Sequence, residues 1–356
     1  MIKRFFKAIG LIFVFGISLG SLYLVNLFFM KPISIDHYLG KEVVLGLFDS
    51  PESMTYMGVF DEYNWITKHN SSLSIPKHED LEEGINDAKK SLDILTSYKD
   101  SSLTNNQKIT KRIAMFDIEN GLRQSEFFPY HDYPLNQVRG IHHSIISFMS
   151  DMHPVRNHNE AKDFIKRTDL AKNVYAGVLD GLQRQAAAGI FAPEFVYAHV
   201  IEQLNEMINY SFDEHPLYTQ FMKKAELLEI SEEELASLES QLILSIENSV
   251  TPGFTLLRDF MVSTEASANP HHGIWSQPNG DEFYKLRIRT YTTTDYSPQK
   301  IHDMGISEVA RISKRMKEIL VSLGYDEDKT VGALMNELNE DPSMLYEDTS
   351  DRKEIV

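Results

Sequence analysis

The chain has 356 residues, is strongly acidic and contains no cysteine. Its formal charge of −17 repels a phosphate backbone and excludes nucleic acid as a natural partner. The lack of cysteine excludes disulfides, a thiol nucleophile, Cys-ligated zinc and a lipid-modified cysteine. Hydrophobic residues make up 42% of the chain, which is enough for a sizeable core, so the composition predicts a folded protein.

Residues 1–30 are predicted to be a membrane anchor or a signal segment. Three basic residues precede an uncharged run from Ala8 to Met30, which is long enough to cross a bilayer as a helix. The positive charges favour a cytoplasmic N-terminus in a single-pass protein of the cytoplasmic membrane, with its bulk outside the cytoplasm. The alternative is cleavage near Ser18 and Gly20, which would give a periplasmic or secreted protein.

After a linker over residues 31–40, residues 41–356 are predicted to form one helical domain, and the fold class is all-α. The segment from Phe48 to Ser74 is rich in aromatic residues, and we expect it to pack Tyr56, Phe60 and Trp65 onto the core. Apolar residues at helical spacing predict the next helix over 81–98.

Capping boxes predict the starts of three further helices, at Thr104 with Gln107, Asn157 with Glu160, and Ser231 with Glu234. The helix from Asn157 is expected to run to Gly189, and a new one to begin at Pro193. The helix from Ser231 is expected to stop near Pro252.

The clearest helix of the sequence begins at Ser297, with Pro298 at its first position, and ends before Gly324. One face is apolar over several turns, at Ile301, Gly305, Val309, Ile312, Met316 and Ile319. Because glycine costs about 1 kcal/mol in a helix, we expect a neighbour to pass close to the backbone at Gly305.

A further helix is predicted from Val331 to Leu338. Thr349 and Ser350 would cap another, but the sequence stops at Val356, within a length at which an isolated helix is marginal. The sequence therefore predicts a truncation within a helix, and a frayed natural tail is the alternative.

Four stretches resemble the bacterial family known as domain of unknown function 885: "FDSPESMTYMGVFDEYNWITKHNSSLS", "PLNQVRGIHHSIISFMSDMHPV", "LQRQAAAGIFAPEFV" and "QPNGDEFYKLRIRTYTTTDYSPQKIHDMGISEVARISKRMKEIL". The resemblance implies a relation to zinc-dependent peptidases, whose signature is a His-Glu-x-x-His helix followed by a Pro-Gly-His segment. Neither motif occurs in this sequence. Zinc is therefore expected only in full-length relatives, and no cofactor is expected in this chain.

A zinc site of that type needs two histidines one helical turn apart, with a glutamate between them. His78 and Glu79 begin such a motif, but Glu82 stands where the second histidine belongs, so His78 is predicted to lie at a solvated helix start. His142 and His143 are neighbours and would point about 100° apart on a helix, which prevents them from sharing a metal unaided.

The remaining histidines are weaker candidates. His199 and Glu202 could bind a metal jointly, although exposed pairs at this spacing are common. His271 and His272 lie in a predicted loop and could approach a ligand in a complete enzyme. Two others flank a proline in a loop and are predicted to be structural or solvated, namely His153 and His158.

Two further clusters of polar residues can be explained by structural roles. Glu232–Glu234 lie in the first turn of a helix, where they complement its dipole and do not form an acid/base pair. The run Tyr291–Asp295 could line a substrate groove by the family resemblance, or could simply end a helix. No catalytic, metal-binding or substrate-binding residue is assigned from the sequence.

Three hypotheses follow. In the first, the chain is the non-catalytic N-terminal portion of a membrane-anchored, zinc-metallopeptidase-like protein whose C-terminal catalytic half is missing. In the second, it is a stand-alone membrane-anchored helical module that binds a peptide or a protein partner. In the third, it assembles with a separately encoded catalytic half. The first predicts a large apolar surface where the missing half would dock.

Overall fold

The computed structural model describes residues 2–127 and 133–344, with side chains over 13–125 and 133–344. All secondary-structure elements formed by these residues are helices, which confirms the all-α prediction. Over the part with described side chains, no helix is both long enough and apolar enough to cross a membrane. The predicted helix opened by Thr349 and Ser350 lies outside the described residues.

Sixteen α-helices occur in the described part of the chain. The first eight are α1 (Ile2–Phe29), α2 (Ile35–Phe48), α3 (Pro51–Met57), α4 (Asn64–Thr67), α5 (His78–Ser97), α6 (Asn105–Phe127), α7 (Ile141–Ser147) and α8 (His158–Asp169). The others are α9 (Ala171–Ala187), α10 (Glu194–Asn209), α11 (Pro216–Ala225), α12 (Glu232–Ser245), α13 (Thr251–Thr264), α14 (Gly280–Thr292), α15 (Pro298–Ser322) and α16 (Val331–Glu340). Two π-helical turns extend α7 and α12, over Phe148–Met152 and Ile246–Val250.

The chain divides into two compact units, residues 1–283 and 284–356. In the first unit, α13 packs against α9 and α10, and α12 packs against α8. Their shared core contains fully buried aromatic side chains, among them Phe164, Tyr175, Phe221 and Phe254. A smaller cluster joins α2 to α5 and the loop that follows α5 through Tyr38, Leu95 and Tyr98.

The predicted helix from Asn157 to Gly189 is wrong in one respect, because it is broken at Leu170 into α8 and α9. A hydroxyl from another part of the chain explains the break. Ser249 Oγ donates to the carbonyl of Asp169 (2.7 Å) and accepts from the amide of Lys172 (2.9 Å). The backbone groups that leave the helical pattern are thus satisfied by one buried side chain.

Pro252 does not stop the preceding helix, contrary to the prediction. It lies in the first turn of α13, directly after the π-helical turn Ile246–Val250. The wider turn changes the hydrogen-bond register just where proline offers no N–H, so the chain continues helically. The result is a nearly continuous helical run from Glu232 to Thr264.

The cap predictions are mostly confirmed. Ser231 and Glu234 form a reciprocal capping box, and Thr104 and Gln107 form another. Asn157 caps α8 by accepting from the amide of Glu160. The Glu160 carboxylate, however, accepts from the backbone and guanidinium of Arg156 rather than from its cap residue, because that arginine offers charged donors.

Three packing predictions are wrong, at Tyr56, Trp65 and Gly305. Tyr56 is 71% exposed, because α3 turns Met54 and Thr55 inward instead, and Trp65 of α4 is 70% exposed. A side-chain atom built at Gly305 would meet nothing within 4 Å, so no neighbour explains that glycine.

Candidate functional site

The predicted histidine candidates do not converge. His78 begins α5, and Glu79 and Glu82 are exposed in its first turns. His199 is exposed and uses its Nδ1 to contact the carbonyl of Phe195 in its own helix (2.7 Å). In the part of the chain that the structure describes, no three His, Asp or Glu side chains lie close enough to hold a metal ion together.

The loop histidines before α14 contact aromatic rings. His271 lies 5.2 Å from the ring of Trp275, and His272 lies 5.0 Å from the ring of Phe195, measured between ring centroids. Both histidines are exposed. These contacts fix where the loop packs, and they bring the two side chains to different aromatic neighbours.

His142 is the most buried of the predicted candidates, with 0% exposure. Its Nε2 lies 3.1 Å from Gln203 Oε1, and burial lowers its pKa to about 4. Gly140 is required here, because a Cβ at that position would lie 2.3 Å from the imidazole ring. The ring is therefore a neutral core group, and His143 packs on it at 4.3 Å between centroids.

The acidic and threonine clusters have structural roles. The Glu234 side chain closes the capping box, and its hydrogen bonds to Ser231 hold its pKa below the usual value. Thr292 ends α14, and Thr293 adopts a left-handed conformation (φ 53°) directly after it. Asp295 then pairs with Arg289 of the helix, so this segment forms the end of α14.

The sequence motifs did not predict a buried polar centre in the first unit, which is formed around Arg167. This arginine is 0% exposed and lies on the inner face of α8. Its Nε donates to the Ser72 carbonyl (2.7 Å), and its Nη2 donates to Thr55 Oγ1 (2.9 Å) and to the carbonyl of His69. Burial lowers its pKa to about 10.

Two histidines border the Arg167 guanidinium. His153 Nδ1 lies 3.1 Å from one of its nitrogens, and burial together with this positive charge holds the pKa of His153 well below its usual value. The pKa of His69 is also lowered by burial, although its ring faces Asp61 at 3.4 Å. Neutral imidazoles avoid repulsion with the buried cation. An arginine one turn after Phe164 on an apolar helix face was the sequence signal that could have revealed this centre.

An ion cluster lies beside this centre. Arg156 donates to Asp61 (2.6 Å) and to Glu160 (2.7 Å), and these contacts hold the pKa of Arg156 above its usual value. Asp163 accepts from Asn64 Nδ2 (2.7 Å) and pairs with Lys166 (3.1 Å). These contacts tie the segment from 61 to 70 onto the start of α8, and together they border a surface cavity.

The second unit carries an exposed apolar face. We define the α15 apolar face by the side chains that share it, which are Ile301, Val309, Ile312, Met316 and Ile319. Three of them are largely exposed, Val309 at 65%, Ile312 at 46% and Ile319 at 45%. Leu320 of α15 is buried, and α16 packs against this helix.

Ion pairs lie along the other sides of α15, where Met304 and Ile306 are also exposed. Glu308 pairs with Arg311 (2.7 Å) and Arg315 with Glu318 (3.1 Å) along its exposed sides. A helix with one apolar and one ionic side normally buries the apolar side. The α15 apolar face is therefore the candidate docking surface of this unit.

The comparisons with known proteins agree with this architecture. A crystal structure of a protein from Colwellia psychrerythraea, described as a candidate lipoprotein, is similar with a TM-score of 0.73 and 24% sequence identity. The similarity covers 87% of this chain but 56% of that protein, so the chain spans little more than half the length of its neighbour. No curated protein matches the sequence significantly.

A family profile supplies the identification. The profile of the bacterial proteins of unknown function DUF885 matches residues 51–356, which is most of the chain and covers most of the first compact unit and all of the second. The all-helical fold and the similar crystal structure are consistent with that match. The chain belongs to the DUF885 family of bacterial proteins.

Proposed function

We propose that this chain is the non-catalytic, membrane-anchored helical portion of a zinc-metallopeptidase-like protein, and that the α15 apolar face docks the catalytic portion. The observation that carries the proposal is the exposure of Val309, Ile312 and Ile319 on one face of a helix that carries ion pairs on its other sides. Full burial of one such side chain contributes about 1.5 to 3 kcal/mol, so three of them can contribute several kcal/mol to docking.

The relation to peptidases rests on the family resemblance, and the non-catalytic character of this chain rests on the absence of a His-Glu-x-x-His motif from its sequence. The similar crystal structure belongs to a considerably longer protein, which gives room for a further portion in a relative. In the proposal, zinc belongs to that further portion.

The anchor is proposed on the character of α1. The sequence is uncharged from Ala8 to Met30, and side chains on all sides of α1 are exposed over residues 13–25. A helix that is apolar all round requires an apolar surrounding, which a bilayer provides. The basic N-terminus favours a cytoplasmic end and an extracytoplasmic bulk. The description of the structural neighbour as a candidate lipoprotein is in keeping with a location at a membrane.

The absence of cysteine makes the topology directly measurable. A single cysteine is introduced at exposed Ser240 in one variant and at Ile2 in another, and intact cells are treated with a membrane-impermeant maleimide. We expect labelling of the Ser240→Cys protein and none of the Ile2→Cys protein until the cells are opened. The opposite pattern would contradict the proposed orientation. Absence of the segment that carries Ile2→Cys from the mature protein would show that this segment is a cleaved signal and not an anchor.

The docking role is tested first at the DNA level. A reading frame after codon 356 that encodes a His-Glu-x-x-His helix is expected, and its product should co-purify with the chain. Val309→Glu should abolish co-purification, whereas Lys314→Glu on the charged side of α15 should not. If no such frame exists, or if the chain alone holds one zinc ion and cleaves peptides, the proposal fails.

A second candidate, the stand-alone module that binds a peptide or a protein partner, is favoured by the completeness of the α15–α16 hairpin. Thr330 caps α16, Leu334 is 0% exposed, and Tyr325 donates to Asp341 (2.9 Å). Hydrogen exchange separates the two candidates. Slow exchange from Thr330 to Asp341 in the chain alone would support the module, and rapid exchange there would count against it.

A further inference from the structure

A cavity of about 290 Å³ in the first unit is lined by residues of α7, α10, α11 and α13. Its apolar part is formed by Ile146, Met207 and Phe254, which belong to the core of this unit. The π-helical turn after α7 also contributes to the lining, and such turns are frequent at functional sites. Small-molecule sites are typically concave places of this kind, mostly apolar and with a few well-placed polar groups.

His215 supplies a hydrogen-bond donor at this cavity. The residue is 3% exposed and is the N-cap of α11, where its Nδ1 accepts from the amide of Leu217 (3.2 Å). Burial lowers its pKa to about 4, so the ring is neutral at neutral pH. A neutral imidazole that accepts through one ring nitrogen carries its proton on the other. The cap therefore places the proton on Nε2.

The Nε2–H group of His215 is unpaired and reaches the cavity. Within the described residues, the contact to Leu217 is the hydrogen bond that this side chain makes, and Nε2 has no partner. Some partnerless side-chain atoms of the described part are sealed from solvent, such as Tyr175 Oη, but His215 Nε2 is not one of them. Because the ring lines the cavity, that is where the donor is accessible. Polar groups of almost completely buried side chains are normally paired, so an acceptor is expected at this place.

Asp151 gives the cavity a negative charge. It lies in the π-helical turn, it is exposed, and in the part of the chain that the structure describes it forms no ion pair. The ammonium group of Lys224 lies in the field of this carboxylate, but it donates to the carbonyls of Ser150 (2.7 Å) and His153 (3.0 Å). A positively charged ligand group would therefore be attracted to Asp151, and a carboxylate on the ligand would be repelled.

We propose that this cavity binds a small primary amine whose apolar body carries a hydrogen-bond acceptor at its far end. The ammonium group pairs with Asp151, and the acceptor receives the Nε2–H of His215. The apolar body packs on Ile146, Met207 and Phe254. This site lies in the first unit and does not depend on the docking role of the α15 apolar face.

Tyramine is the probe, because it combines an ammonium group, an aromatic body and a phenol oxygen. Phenethylamine lacks only the oxygen, and para-hydroxyphenylpropionate carries a carboxylate in place of the ammonium group. Titration of the full chain in detergent micelles is followed by the line broadening of the ligand proton NMR signals. We expect saturable binding of tyramine, binding of phenethylamine that is about threefold to tenfold weaker, and no binding of the propionate.

Two variants test the contacts. Asp151→Asn removes the charge at an exposed position and should weaken tyramine binding about threefold or more. Asp213→Asn is the matched control, because Asp213 is exposed and does not line the cavity, and it should leave binding unchanged. His215→Asn keeps an acceptor for the cap of α11 but withdraws the Nε2–H group, so it should bind tyramine and phenethylamine equally. Because Asp151 is exposed, its variant stays informative even if His215→Asn fails to fold.

Four outcomes would overturn the proposal. The first two are the absence of saturable tyramine binding at millimolar concentration and binding of the propionate as tight as that of tyramine. The third is tyramine binding that is unchanged in Asp151→Asn, which would place the amine elsewhere on the molecule or in the micelle. The fourth is equal binding of tyramine and phenethylamine to the unaltered chain, which would exclude His215 as the donor.

Discussion

Arg167 offers the sharpest test of the fold, because its charge is completely buried. Its contacts are to the Ser72 and His69 carbonyls, Thr55 Oγ1 and the ring of His153. Replacement by alanine leaves these acceptors buried without donors and opens a void. A hydrogen bond from a charged donor is worth about 1.5 to 3 kcal/mol, and a buried acceptor left without its donor costs about 1 to 3 kcal/mol, whereas relief of the desolvation of the buried charge offsets part of this loss. We expect Arg167→Ala to lower the free energy of unfolding by about 3 to 5 kcal/mol.

The matched control is Arg156→Ala, because Arg156 directly precedes Asn157, the N-cap residue of α8. The Arg156 side chain is 59% exposed, and its ion pairs to Asp61 and Glu160 are largely hydrated, so its loss should cost about 1 kcal/mol or less. Arg167→Lys should recover only part of the loss, because an ammonium group cannot reproduce the planar donor fork.

Urea unfolding of the full chain in micelles, followed by far-UV circular dichroism, measures the difference. With a slope of about 2 to 3 kcal/mol per M, Arg167→Ala should lower the midpoint by about 1 to 2 M. If Arg167→Ala and Arg156→Ala shift the midpoint equally, or if the Arg167 variant loses less than about 1 kcal/mol, the reasoning about its buried contacts is refuted.

Three further predictions concern titration, packing and capping. Burial lowers the pKa of His215 to about 4, so the folded state resists protonation and stability should fall as the pH drops from about 6.5 towards 4. His215→Asn, which keeps an N-cap acceptor, should remove part of that loss in urea titrations at pH 7 and pH 4.5. Gly253→Ala should cost about 1 to 3 kcal/mol, because a Cβ there would lie 2.3 Å from the ring of Tyr175. Gly305→Ala should instead raise the free energy of unfolding by about 0.5 to 1 kcal/mol, because a Cβ there would meet no neighbour. Equal shifts of the urea midpoints of the Gly253 and Gly305 variants would contradict this difference in packing. Ser231→Ala should lower the thermal midpoint through loss of about 1 kcal/mol of capping, and an unchanged midpoint would show that the box contributes nothing.

Local chemistry predicted the helix boundaries well. The caps at Ser231, Ser297 and Thr104, and the left-handed glycines Gly189 and Gly324, depend on side chains within a few residues of the helix end. Such signals can be read without knowledge of the tertiary structure.

Predictions that depended on distant parts of the chain failed. The break at Leu170 depends on the hydroxyl of Ser249, which lies far along the sequence. The exposure of Trp65 depends on how the segment around α4 lies on α8. The buried position of Arg167 requires acceptors from three separate segments, so the helical pattern alone predicts a charged residue in solvent.

The same distinction between local and distant signals applies to the candidate sites. The apolar character of α15 was readable from its periodicity, but its exposure became visible only when the neighbours of the helix were known. The cavity at His215 has no sequence motif, because its walls come from α7, α10, α11 and α13.

The π-helical turn between α12 and α13 carries one residue more than an α-helical turn would need. Deletion of a single residue within Ile246–Val250 is therefore absorbed by a return to ordinary winding, and α13 keeps nearly the same rotational phase. Phe254 and Leu257, both 0% exposed, then stay directed at the core. The length of this segment is thus less constrained than that of an ordinary helix, and homologous proteins that share the core can differ here by one residue.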